Sequence, residues 1–89
     1  MSPAQCRAGR AWLGWTQGDL SRLSRVGLST LKDFESGGRR TIAATLAQMQ
    51  QTLERAGVTF QVDRDGRPSG ISVSPTGVYD EIMRQFRDS

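Results

Sequence analysis

The sequence predicts a mainly α fold: four helices, the second and third joined as a helix–turn–helix, then a β-hairpin and a short C-terminal helix. Three observations carry that expectation. Residues 14–37 hold two short helical patterns joined by a turn containing Gly27, with Leu20, Leu23, Val26, Leu31 and Phe34 marking one inward side. Ile42, Leu46, Met49, Leu53 and Ala56 then fall at steps of four, three, four and three, the stripe that one face of a packed helix buries. After Gly57 the period drops to two, with Val58, Phe60 and Val62 alternating with Thr59 and Gln61.

Each element carries its own start and stop signals. Ser2 and Gln5 form an S-x-x-Q capping box with Pro3 in the first helical position, so helix one begins at Ser2 and stops at Gly14. Its inner face carries Cys6 and Leu13 with Arg10 between them, and Cys6 reads as a small core residue. Thr16 is the N-cap of helix two, with Asp19 completing a T-x-x-D box, and the helix runs to about Ser24. Helix three follows Gly27 and ends before Gly37-Gly38, where positive φ suits a C-terminal cap. Helix four spans Ile42 to Ala56.

Beyond Gly57 lie a strand, a loop from Asp63 to Ser69 containing Asp65-Gly66 and Pro68, and a second strand with Ile71 and Val73 on one side. A last helix starts at Ser74-Pro75 or at Pro75-Thr76, with Val78, Ile82, Met83 and Phe86 on one side. A two-stranded hairpin and a short terminal helix are both marginal alone in water and need an apolar partner. The expected dimerisation residues are therefore Val58, Phe60, Val62, Ile71, Val73, Val78, Ile82 and Phe86; packing of the last helix on helix four is the alternative. This divides the chain into residues 1–57, the helix–turn–helix domain, and residues 58–89, a dimerisation appendage.

Composition narrows the function. Eighty-nine residues make one small domain, 36% hydrophobic and 24% charged, as in an ordinary soluble globular chain. No apolar run reaches membrane-span length, and the opening MSPAQCRAGR lacks the apolar stretch of a signal peptide, so a cytoplasmic location is expected and no membrane. With one cysteine and no histidine there is no internal disulfide, Cys/His metal site or histidine general base. We therefore expect no enzyme, cofactor or metal. Asp80-Glu81 reads as a solvated or helix-start acidic pair.

Charge is segregated. Through Arg40 there are seven basic residues against three acidic ones, a balance of +4; from Thr41 onward five face six, a balance of −1. Positive charge gathered on one half is the footprint a polyanion requires. A helix braced from behind with its outer face free also fits the major groove of DNA.

The chain resembles the Cro/repressor-type, or XRE, family of helix–turn–helix proteins over residues 5–60. The matching features are Trp15-Thr16-Gln17, the Leu20-x-x-Leu23 pair, Ser29-Thr30-Leu31, Phe34-Glu35-x-Gly37, and the run from Leu46 to Phe60 ending ERAGVTF. The resemblance implies base readout by Leu28, Ser29, Lys32 and Asp33 at the start of helix three. It implies phosphate contacts by Thr16, Gln17, Arg25, Thr30, Arg39 and Arg40, and a structural clamp between Arg10 and Glu35. For Gln17 the physics agrees, because the first turn of a helix attracts anions; plain helix-start chemistry is its other role. The chain departs from the family at three adjacent places. Arg25 stands at a turn position that favours glycine, Gly27 where Ser or Thr caps helix three, and Leu28 where a polar residue leads the readout. Arg25 must accept a left-handed conformation or reshape the turn.

The function these features imply is a sequence-specific, homodimeric regulator of transcription, a repressor, binding an inverted repeat in double-stranded DNA. The alternative is a helix–turn–helix scaffold used mainly for protein–protein contact, such as an antitoxin or regulatory adaptor, with Leu28, the hairpin and the last helix as its surfaces.

Overall fold

The computed structural model describes residues 1–38, 41–74, 79 and 82–85. Its elements follow the expected order: α1 (Pro3–Leu13), α2 (Gln17–Ser24), α3 (Leu28–Ser36), α4 (Ala43–Arg55), β1 (Val58–Val62) and β2 (Pro68–Val73), then a helical turn over residues 82–85. Both expected capping boxes form. Ser2 Oγ accepts from the Gln5 N–H at 3.1 Å while Gln5 Oε1 accepts from the Ser2 N–H at 3.0 Å. Thr16 Oγ1 accepts from the Asp19 N–H at 3.0 Å and Asp19 Oδ2 from the Thr16 N–H at 2.8 Å. Each reciprocal pair satisfies two backbone donors that a helix start leaves without intrahelical partners.

The core lies where α1 to α4 converge. Leu20, Leu31, Met49, Leu53 and Cys6 are wholly buried there, joined by Val26, Phe34 and Ala56. Each fully buried Leu or Met side chain stabilises the fold by about 1.5–3 kcal/mol relative to exposure. Leu13, Leu23 and Leu46 pack against this cluster as partly buried neighbours. Ile42 departs from the expected stripe: it is the N-cap of α4 and is 70% exposed. The helical period holds only inside a helix, and Ile42 stands one residue before it.

β1 and β2 form an antiparallel pair with Val58 opposite Val73, Phe60 opposite Ile71 and Gln61 opposite Gly70. Val62 pairs with Pro68, so the register slips by one and Ser69 is the extra residue of a bulge. The second strand thus begins at Pro68, earlier than expected, because proline is tolerated at the first position of a strand and at bulges. Asp63 Oδ1 closes the shortened loop by accepting from the N–H groups of Asp65 and Arg67 at 2.9 and 3.0 Å.

Val58 and Gln5 help tie the hairpin to the helices. Val58 is buried in the shared core, and an added Cβ on Gly9 of α1 would meet its Cγ1 at 3.5 Å. Gln5, almost fully buried, donates both amide hydrogens, to Gln61 O at 2.8 Å and to Gly70 O at 2.9 Å. The capping glutamine of α1 therefore also pins the sheet. Gly57 marks a change of element within one continuous core.

At the C-terminal end Met83 is buried, and its N–H donates to Tyr79 O at 2.8 Å. The Tyr79 ring meets buried Trp15 edge-on, with centroids 5.6 Å apart and planes at 71°. This turn packs on its own chain, through Tyr79 and Met83. Ile82 points away and is 40% exposed. Val78 and Phe86 lie outside the described residues.

Candidate nucleic-acid interface

The α2–turn–α3 unit is fastened from inside by serines. Ser24 Oγ donates to Leu20 O at 2.6 Å and accepts from the Val26 N–H at 3.3 Å, while Ser21 Oγ donates to Val26 O at 2.6 Å. With Val26 buried, these bonds fix where the chain reverses. Arg25 sits at the C-cap of α2 with φ 60° and ψ 29°, the left-handed conformation, so the turn keeps its shape and the arginine bears the strain. A left-handed non-glycine residue costs about 1–2 kcal/mol.

α3 starts at Gly27, which forms no side-chain cap bond. It ends in a Schellman motif: Gly37, at φ 73°, donates to Phe34 O at 3.0 Å and Gly38 donates to Asp33 O at 3.2 Å. Between these ends the faces separate cleanly. Leu31, Phe34 and Glu35 are buried, whereas Leu28, Ser29, Thr30, Lys32 and Asp33 are exposed. The structure thus brings the five helix-three residues of the expected DNA set onto one free surface, with Arg25 exposed at its edge. Thr16 is exposed at the start of α2, but its hydroxyl is engaged in the capping box. Arg39 and Arg40 lie outside the described residues.

Behind that surface is a network centred on Glu35, a residue only 3% exposed. Arg10 grips the carboxylate with two parallel bonds, Nε to Oε2 and Nη2 to Oε1, each 2.7 Å, and its Nη1 donates to Trp15 O at 3.0 Å. Gln17 Nε2 adds a bond to Oε1 at 3.1 Å and the Cys6 thiol one to Oε2 at 3.1 Å. Arg7 Nη1 donates to the backbone O of Glu35. Helices α1, α2 and α3 are thereby joined at one buried carboxylate.

The electrostatics follow from this arrangement. Burial alone opposes ionisation of Glu35, but the hydrogen bonds from Arg10, Cys6 and Gln17 outweigh it and hold its carboxyl below the usual value. The bond to Glu35 raises the Arg10 guanidinium further despite its partial burial. Burial, then the bond to Glu35, pushes the Cys6 thiol far above its ordinary range, so it is a protonated donor and not a nucleophile.

Two readings are sharpened. The Gln17 side chain, expected at a phosphate, is directed inward at Glu35 and belongs to the clamp. Cys6 is buried as expected, yet it is also a polar member of the network, a role without a sequence signal because Glu35 is remote in the chain. Gln5 was legible only as a cap, and its hold on the hairpin depends on tertiary placement.

Of the expected dimerisation residues, Val58 is committed to the chain's own core, and Phe60, Ile71 and Val73 are partly buried against it. Val62 is 62% exposed. Among the described residues no helix is long and apolar enough to cross a membrane. No family model and no curated protein matches this chain.

Proposed function

We propose that the chain is a sequence-specific double-stranded DNA-binding regulator of transcription, acting as a homodimeric repressor on an inverted repeat. The observation that carries this reading is the split of α3: an exposed polar face of Ser29, Thr30, Lys32 and Asp33 lies over a face locked to the body by Leu31, Phe34 and Glu35. A helix held rigidly with its outer face free is what major-groove reading demands. Lys32 reaches guanine or phosphate, Ser29 bonds base edges, and Leu28 packs on a thymine methyl. The basic balance of the first 40 residues supplies the attraction to phosphate.

Selection of bound sequences from a random duplex pool at two salt concentrations tests the reading. Enrichment of a palindrome, with binding that falls steeply as salt rises, supports it. Lys32→Ala and Ser29→Ala then change the preferred sequence. The 40% exposure of Leu28 at the head of α3 favours a second reading, a scaffold docking another protein there. Salt-sensitive binding without any enriched sequence is the outcome that selects this alternative.

A further inference from the structure

We infer that the chain dimerises by antiparallel pairing of β1 with β1 of a second copy, centred on Phe60, to form a four-stranded sheet. This sharpens the dimer part of the proposed function but stands without DNA. Among the described residues the sheet has two strands, so each strand has one outer edge.

The edges differ. β2 carries Pro68 and a bulge, both devices that blunt an edge, and α1 flanks it across a cleft of about 230 Å³ that includes Ala8 and Ser69. β1 has no proline and no charge from Val58 to Val62, and Val62 is largely exposed. Among the described residues no further strand pairs with that edge.

The hydrogen-bond phase shows what it offers. The Ser74 N–H donates to Gly57 O at 2.9 Å and the Asp63 N–H to Arg67 O at 2.8 Å, so residues 57, 59, 61 and 63 bond inward to β2. By the alternation of antiparallel ladders, the N–H and C=O groups of Val58, Phe60 and Val62 point outward.

The segment VTFQV is self-complementary about its centre. Two-fold pairing at Phe60 sets Val58 against Val62 of the second copy, Thr59 against Gln61 and Phe60 against Phe60, apolar with apolar and polar with polar. The three outward-pointing residues then exchange backbone bonds with their counterparts.

Sedimentation equilibrium of the full chain without DNA tests this, and we expect a concentration-dependent monomer–dimer equilibrium. Val62→Lys, at an exposed position, leaves the monomer folded by circular dichroism and weakens association at least about tenfold, whereas Ser69→Lys on the β2 edge leaves it unchanged. In a mixed isotope-labelled sample of the unaltered chain, Thr59 Hα and Gln61 Hα of different copies lie close enough for a nuclear Overhauser contact. A monomer throughout overturns the pairing, as does a dimer indifferent to Val62→Lys or lacking that contact. A dimer that selects no DNA sequence removes the regulator reading alone; a monomer that selects a palindrome removes the pairing alone.

Discussion

At its C-terminal end α3 is held by Arg10, Cys6, Gln17 and Arg7, all acting on Glu35, and closed by a two-glycine cap. At its N-terminal end the same helix follows a left-handed Arg25, starts on a glycine with no side-chain cap, and exposes nearly every side chain up to Asp33. One end is over-determined from inside and the other is left bare. The contrast teaches where rigidity has been placed. The body fixes the position of α3 through bonds that cannot face a ligand, so the outward end can present donors and charge without having to hold the fold together.

The largest expected effect comes from breaking the held end. Glu35→Ala leaves a partly buried Arg10 without its carboxylate and destabilises the chain by about 3 kcal/mol or more. Chemical unfolding in urea measures it. A double-mutant cycle with Arg10→Met gives the coupling, and a value near zero would reduce the clamp to an ordinary surface pair. The pH dependence follows from the same site. Because folding lowers the Glu35 pKa, its contribution is present above the ordinary carboxylate value and is lost as pH falls through the folded one. Acid unfolding of Glu35→Gln should accordingly be flatter than that of the unaltered chain.

Cys6→Ala comes next, expected to cost about 1–3 kcal/mol through lost packing and one lost donor to Glu35. Since burial and Glu35 raise the thiol pKa, the contribution of Cys6 is present at neutral pH and fades once pH passes the ordinary thiol value. Thermal unfolding at alkaline pH should therefore separate the two proteins less than at neutral pH.

The bare end was far more legible in the sequence than the held end. Helix boundaries and both capping boxes depend on residues within four positions of one another, and local chemistry decides them, whereas the left-handed option at Arg25 was implied by the family resemblance. The inward and outward faces of α3 also follow from a period of 3.6. The Arg10–Glu35 pair came from the family resemblance, since nothing local links two residues so far apart in sequence. Cys6 and Gln17 joining that pair, and Gln5 pinning the hairpin, arise only when three helices and a sheet converge. Ile42 shows the opposite failure: a periodic position outside the helix loses its place in the core.

A smaller effect sharpens the comparison at the turn. Arg25→Gly relieves left-handed strain of about 1–2 kcal/mol but adds unfolded-state freedom of about 0.5–1 kcal/mol, for a net gain of about 0.5 kcal/mol. Differential scanning calorimetry should register a rise of a few degrees. If Arg25 also meets phosphate, the more stable variant binds duplex DNA more weakly with a shallower salt dependence. Gain in stability without change in binding would place Arg25 outside the interface.

The smallest change acts on the bare end itself. Gly27 has φ −57° and ψ 142°, a backbone that a serine adopts without strain, and a Cβ there would come no nearer than 4.0 Å to Thr30 Oγ1. In Gly27→Ser the new hydroxyl accepts from an N–H in the first turn of α3 and stabilises the helix by a few tenths of a kcal/mol. That same first turn is where an anion would sit, since unpaired N–H groups and the helix dipole both favour negative charge. Filling it with a hydroxyl sets stability against binding. A slightly higher unfolding temperature together with weaker DNA affinity means that the bare end receives phosphate. A higher temperature with unchanged affinity assigns recognition to the side chains of α3 alone.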